Sequence, residues 1–222
     1  MNKNVQNFLK MLSVFAEKNP YPKSDLQYKN PYTFLVAVLL SAQSTDKGVN
    51  KATAELFKVV DNPKNMVAMG LEQLKEYVKT IGLYNNKAKN IIALSKILVS
   101  NFDGKIPQSA TELESLPGIG RKSANVIMNE VFGVDTIAVD THVIRLVNRF
   151  ELFNLSDENI AKINTESPLE IEKLLNEITP SEYKSRVSNW LVLHGRYICK
   201  AKKPDCANCP VENFCIWNGK NA

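Results

Sequence analysis

Lys122, Asp140 and four cysteines are the residues of this chain whose types and settings carry chemistry. The cysteines are Cys199, Cys206, Cys209 and Cys215, separated by six, two and five residues. Thiols this close in sequence can all turn inward on one metal centre. An even number also permits disulfides, but no secretory segment precedes them, and a reducing compartment is expected to keep them as thiols. The spacing has one C-x-x-C pair and two single cysteines, which leaves zinc and iron–sulfur both open. Lys122 lies in Leu116–Asn129, Leu-Pro-Gly-Ile-Gly-Arg-Lys-Ser-Ala-Asn-Val-Ile-Met-Asn. At an ordinary pKa of about 10.4, only about one lysine in 2,500 is neutral at pH 7. Arg121 beside it, the positive end of a helix and partial burial are each expected to lower that value. A fall to about 8 would make about one in ten neutral, a gain of roughly 250-fold in nucleophile. The alternative is a purely electrostatic lysine on a phosphate.

Asp140 lies in Ala138-Val-Asp-Thr-His142, just before the apolar pattern Val143, Leu146, Val147. Aspartate in that place caps a helix. It can also face a site and steady developing positive charge or assist a proton transfer. His142 reads as a structural hydrogen-bonding residue rather than a base. Between the first two cysteines stand Lys200, Lys202 and Lys203, with Arg196 one helical turn earlier. On a loop held by a metal centre these side chains suit phosphates.

The elements that must position these residues are helical. Ser109 and Glu112 spell a capping box for a short helix through Leu113. Gly118 and Gly120 mark a tight turn, and Arg121, Lys122 and Ser123 form the first turn of the next helix. The unit is helix, glycine hairpin, helix, and Gly118, Gly120 and Arg121 make an anion site suited to a phosphate. Position 123 is serine and no strand precedes the loop, so the dinucleotide fingerprint fails; Arg121 between glycine and lysine excludes a Walker A loop.

Elsewhere, Val5, Phe8, Leu9, Leu12 and Phe15 recur at helical spacing up to Asn19-Pro20. Asn30-Pro31 opens a helix to Gln43, apolar on every side and therefore central and buried. Thr45 or Asp46 caps a helix carrying Val49, Ala52, Leu56 and Val59, and Asn62-Pro63 starts another. Residues 81–86 read as a turn, followed by a helix over 87–102 with Ile91, Leu94, Ile97 and Leu98 inward. Thr136–Val139 is the one extended stretch. Ser167, Pro168 and Glu170 open a helix, and 182–199 is the last long one. The 222 residues, 44% hydrophobic and 23% charged, form one large or two small globular domains. A net charge of +5 permits a polyanionic partner without requiring one. The longest apolar run, 34–40, cannot span a bilayer, and the expected home is the cytosol.

The hairpin wording and the C-x6-C-x2-C-x5-C loop together resemble the endonuclease III family of helix-hairpin-helix DNA glycosylases and abasic-site lyases. The resemblance covers essentially the whole chain. It implies an all-α fold of two helical domains with a DNA-binding cleft between them. One is a six-helix barrel-like domain carrying the hairpin, over 25–134; the other is a discontinuous iron–sulfur domain, over 1–24 and 135–222. It identifies Lys122 with the family's Schiff-base lysine, Asp140 with its catalytic aspartate, and the four cysteines with the ligands of a 4Fe–4S cluster. It matches Gln43 and Leu83 to residues that fill the stack when a nucleotide is extruded; from the sequence alone they read as a helix end and a core residue. The implied activity is removal of damaged, oxidised pyrimidines followed by β-elimination, on duplex DNA containing damaged bases or abasic sites, by a monomer away from membranes. Adenine-mismatch glycosylases share the cysteine loop but typically lack the lysine; 8-oxoguanine glycosylases keep the lysine but commonly lack the loop. A non-catalytic iron–sulfur DNA-binding module is the remaining alternative.

Overall fold

In the computed structural model of the protein, which describes residues 2–153 and 165–221, helices begin where caps and first-turn prolines ask for them. Asn30 accepts from the Thr33 amide while Thr33 reaches back to the Asn30 amide, and Pro31 supplies the first helical φ. The helix they open, α2 (Pro31–Ser41), is buried from Tyr32 through Leu40. Asn2, Thr45, Asn62, Ser109, Asp140 and Ser167 cap further helices with their side chains. Among the described residues there are eleven α-helices, two short 3-10 segments and no strand. None of these helices is long and apolar enough to cross a membrane.

The chain divides into two compact units, Ser24–Val134 and a discontinuous one made of Met1–Lys23 with Asp135–Ala222. The first unit wraps α3 (Asp46–Val59), α4 (Pro63–Met69), α5 (Leu71–Val78), α6 (Tyr84–Asn101), α7 (Ala110–Glu114) and α8 (Arg121–Phe132) around α2. Its core joins Phe34, Leu35 and Leu40 of α2 to Leu56, Met66, Leu74, Ile91, Leu94 and Leu98. In the discontinuous unit, α1 (Lys3–Lys18) packs on α11 (Ser181–Tyr197), which also packs on α9 (Thr141–Arg149); α10 (Pro168–Ile178) lies against α9. Phe8, Met11, Leu12 and Phe15 of α1 meet Val143, Leu146 and Val147 of α9 and Trp190 and Leu191 of α11. The Trp190 indole donates to the Asn19 carbonyl at 2.8 Å.

The structure refines or corrects several sequence expectations. The helix that Asn62-Pro63 starts, α4, ends at Met69, and α5 follows directly after Gly70, which takes φ +80. Helix α6 begins at Tyr84, three residues before Lys87, because Leu83 turns the chain with φ 59. Val59 is exposed, and residues 136–139 pair in no strand; Ala138 donates its amide to the Ser188 hydroxyl instead. Helix α11 stops at Tyr197, so Cys199 lies beyond it.

Candidate functional site

In the first unit the hairpin joins α7 to α8. Leu116 and Ile119 are buried, and the Ile119 amide donates to the Leu116 carbonyl at 3.1 Å, closing a β-turn over Pro117 and Gly118. Proline second and glycine third is the sequence a type II turn requires. Gly118 has φ +83, and a Cβ there would sit 2.8 Å from Asn90 Nδ2 and 3.0 Å from Leu39 Cδ1. Both its backbone and its neighbours demand glycine. Gly120 differs from the expectation: its φ of −102 and ψ of 177 suit any residue, and a Cβ there would meet open space. Nothing among the described residues requires glycine at 120. It stands at the N-cap of α8 with no side chain to cap it. Arg121 and Lys122 follow, both exposed, so Lys122 lacks the partial burial expected of it.

Two other turns of this unit have the same form. Ser44 donates its amide to Ser41 at 3.0 Å, with Ala42 at φ −55, ψ 118 and Gln43 at φ 54. Tyr84 donates to Ile81 at 3.2 Å, with Leu83 at φ 59, ψ 26. Gln43 and Leu83 thus occupy the left-handed third positions that glycine favours. Neither is a core residue: Gln43 is exposed, and Leu83 is 62% exposed despite being apolar. The turns are neighbours, since a Cβ on Gly82 would touch the Gln43 carbonyl at 3.9 Å. Lys87, on the first turn of α6, is buried, and burial lowers its pKa. Its Nζ donates to Leu40 O at 2.9 Å, Ala42 O at 2.6 Å and Ser44 Oγ at 3.0 Å.

In the discontinuous unit Asp140 is half-buried at the start of α9. One carboxylate oxygen, Oδ1, accepts from the amides of His142 at 2.8 Å and Val143 at 3.1 Å. His142 Nδ1 stands 3.1 Å from Arg145 Nη2, and burial holds its pKa down against the pull of Asp140. A ring nitrogen facing a guanidinium serves as the acceptor, which fixes the neutral tautomer and suits a structural role.

Two arginines that carry no motif in the sequence organise the cysteine loop. Arg145 donates to Gly195 O at 2.8 Å and through Nε to Cys199 O at 3.3 Å. Arg149 donates to Cys199 Sγ at 3.0 Å, Lys200 O at 2.9 Å and Ala201 O at 3.2 Å, and stacks 4.0 Å from the Trp217 ring. Asp205 donates back to Ile198 O at 2.9 Å and closes the loop. Lys200, Lys202 and Lys203 are exposed on it, with Lys203 at φ 52, while Arg196 is half-buried at the end of α11.

All four cysteines, with His194, Phe150 and Trp217, line one open pocket. His194 is buried, its pKa pulled down to about 4 by desolvation, and Nε2 lies 3.8 Å from Cys209 Sγ. Burial pushes the Cys209 thiol up to about 11 and Cys215 in the same direction. Among the described residues no group of three or more His, Cys, Asp or Glu is arranged to hold a metal ion. A single tetrahedral ion with bonds of about 2.3 Å to sulfur draws its thiolates to within about 4 Å of one another. Here the four thiols line one pocket and an Arg149 N–H already meets the Cys199 sulfur, a donor set suited to a thiolate-bound metal centre.

The profile of the HhH-GPD superfamily of base excision DNA repair proteins matches residues 36–180. The endonuclease III of Rickettsia conorii is 50% identical over 206 residues, 93% of each chain. That of Escherichia coli K12 is 45% identical over 212 residues, 96% of each. Among solved structures, an endonuclease III trapped as a covalent intermediate with DNA, in an estranged-adenine complex, superposes with a TM-score of 0.84 at 40% identity, covering 97% of this chain and 96% of that one.

Proposed function

We infer that this chain, which belongs to the HhH-GPD superfamily of base excision DNA repair proteins and is a base-excision DNA glycosylase of the endonuclease III type, excises damaged pyrimidines through Lys122 and then cleaves the strand. The observation that carries the reading is the placing of Lys122. It is exposed in the first turn of α8, two residues after Gly120, which leaves the approach open. A phosphate at Gly118, Gly120 and Arg121 would register duplex DNA so that a sugar reaches the amine.

The reaction then follows from elementary chemistry. Neutral Lys122 Nζ forms a bond to C1′, the C1′–N glycosidic bond breaks, and its electron pair leaves with the damaged base. The amine sheds a proton, the sugar ring opens with protonation of O4′, and a C1′=N Schiff base results. Loss of a 2′ proton sends electrons toward that iminium and breaks the C3′–O bond, releasing the 3′ phosphate by β-elimination. Asp140 stabilises positive charge on the sugar as the base departs. Because Oδ1 takes both capping bonds, the same carboxylate holds α9 and keeps a fixed place. Gln43 and Leu83 fill the stack opened by extrusion of the nucleotide. Lys200, Lys202 and Lys203, with Arg196 behind them, contact phosphates.

Cys199, Cys206, Cys209 and Cys215 hold a 4Fe–4S cluster in this reading. Such a group, bound, would join the thiolates into one rigid node and fix the loop that carries the lysines. Anaerobically purified protein should be yellow-brown and contain iron. Stoichiometric zinc with no iron would overturn the assignment.

The test of the reaction is borohydride trapping on abasic duplex DNA. The wild-type protein should form a stable amine adduct at Lys122. Lys122→Gln should lose both trapping and strand cleavage, a fall of at least about 10⁴-fold, with duplex binding largely kept. Trapping that survives in Lys122→Gln would sink the assignment.

A further inference from the structure

Lys87 is a buried cation that the reaction does not use. All three ammonium protons have acceptors, and these acceptors bracket Gln43: Leu40 O and Ala42 O before it, and Ser44 Oγ after it. Two are carbonyls at the C-terminal end of α2, where the helix dipole favours positive charge and carbonyls lack helical partners. The lysine's own backbone amide meanwhile donates to Leu83 O at 3.1 Å. One residue therefore grips both turns, the first by its side chain and the second by its main chain. Each turn presents an exposed, non-glycine residue with positive φ, and the turns touch beside Gly82.

A salt link for surface solubility does not account for this. Lys58, Lys75, Lys79 and Lys220 all pair with carboxylates. Lys87 instead gives its bonds to neutral oxygens, with only 6% of its surface exposed. A buried charge spent on three neutral acceptors costs desolvation and is kept where it fixes geometry. What it fixes here is the 41–44 backbone against the start of α6. Without it, that turn would be free to relax Gln43 out of the left-handed region.

We propose that Lys87 is the positioning residue that locks the 41–44 and 81–84 turns into one preset two-pronged probe, so that Gln43 and Leu83 enter the DNA stack together. The inference rests on the stack-filling reading of those two residues. A probe set before binding does not have to be ordered during base extrusion. Its loss acts on the step that opens the duplex and spares the chemistry at C1′. Misplacement by about 1 Å costs on the order of 10²-fold in steps that depend on alignment.

The experiment compares two substrates. One is a duplex carrying an oxidised pyrimidine; the other is a single strand carrying an abasic site, which has no stack to open. Lys87→Met, which keeps the side-chain volume and removes the donors, should lower kcat/KM on the duplex by about 10- to 100-fold. Strand cleavage of the single strand should stay within about twofold of wild type. Lys87→Arg should restore part of the duplex activity. Ser44→Ala removes one acceptor and leaves the ammonium its two carbonyl partners; it should cost about threefold on the duplex alone, and it carries the comparison if Lys87→Met does not fold. Equal losses on both substrates, or no loss on the duplex, would overturn the proposal. Gln43→Ala and Leu83→Ala separate the role of the probe from the role of Lys87. If both keep full duplex activity, the stack-filling reading fails and Lys87 falls with it. If they lose duplex activity while the Lys87 and Ser44 variants do not, only the assignment of Lys87 fails.

Discussion

The turn at 116–119 and the turns at 41–44 and 81–84 share a backbone plan and differ in what fills the third position. In the hairpin it is Gly118, where Asn90 and Leu39 leave no room for a side chain. In the other two it is Gln43 and Leu83, held in the left-handed region with their side chains exposed. A non-glycine residue there costs about 1–2 kcal/mol. The hairpin uses its turn to bring backbone close to something. The other two use theirs to push a side chain outward, and accept strain to do it. A strained backbone that serves no packing is a mark of function. Here the mark falls on the two residues assigned to the opened stack.

The largest effect that would break this contrast lies within the hairpin. Gly118→Ala should destabilise the protein by about 2–4 kcal/mol, because positive φ and overlap with Asn90 and Leu39 act together. Gly120→Ala should change stability by less than about 1 kcal/mol, since its backbone is extended and its Cβ direction open. Chemical denaturation of the two variants measures the difference. Similar losses would mean that Gly120 serves folding after all.

A smaller effect sharpens the functional half. If Gly120 is small so that a phosphate can approach, Gly120→Ala should weaken binding to damaged and undamaged duplex alike. Neutralising Lys200, Lys202 and Lys203 to Gln should do the same and reduce the salt slope by roughly 0.9 for each phosphate left without its lysine. Discrimination between the two duplexes should hardly move in either variant, because phosphate contacts carry no base information. Titration at several salt concentrations checks both, and an unchanged slope in the triple variant would leave its lysines as solvated loop residues.

What can be read from the sequence divides along the same line. Caps and first-turn prolines act within four residues, so Asn30-Pro31, Thr45, Asn62-Pro63 and Ser167-Pro168 announce their helices. The cap at Asp140 is legible for the same reason. Gly70 is not: one positive-φ glycine splits a helical pattern without interrupting its apolar spacing. Gln43 and Leu83 give no signal of their own, because nothing local says that a glutamine or a leucine will take a glycine conformation. Lys87 does leave a trace. It is in phase with Ile91, Leu94 and Leu98, on the apolar stripe of α6, where a charge is out of place. Its acceptors lie 43 to 47 residues away, so the trace becomes a role only in three dimensions. Arg145 and Arg149 are similar: spaced for one helix face, but engaged with carbonyls 50 or more residues along the chain. The exposure of Lys122 is illegible for a related reason. A glycine turn before a helix fixes where the lysine starts but not what covers it, and its own unit leaves it exposed.

The smallest effect is also the one that tests the contrast most directly, because its sign is opposite for stability and for activity. Gln43→Gly and Leu83→Gly remove an exposed side chain and place glycine where φ is 54 and 59. Glycine takes that conformation without a Cβ clash, though the unfolded chain gains freedom. The net change in stability should be a gain of a few tenths to about 1 kcal/mol. Activity on the damaged duplex should fall in the same proteins, since no side chain remains to enter the stack. The double variant should add the two stability gains only in part, because the turns touch at Gly82 and share Lys87. Thermal melts and duplex kinetics on one preparation decide the matter. If either variant is less stable than wild type, its turn is not strained by the side chain it carries. The exposed Gln43 or Leu83 would then be a packing residue of the first unit, and the distinction between an inward-serving and an outward-serving turn would collapse.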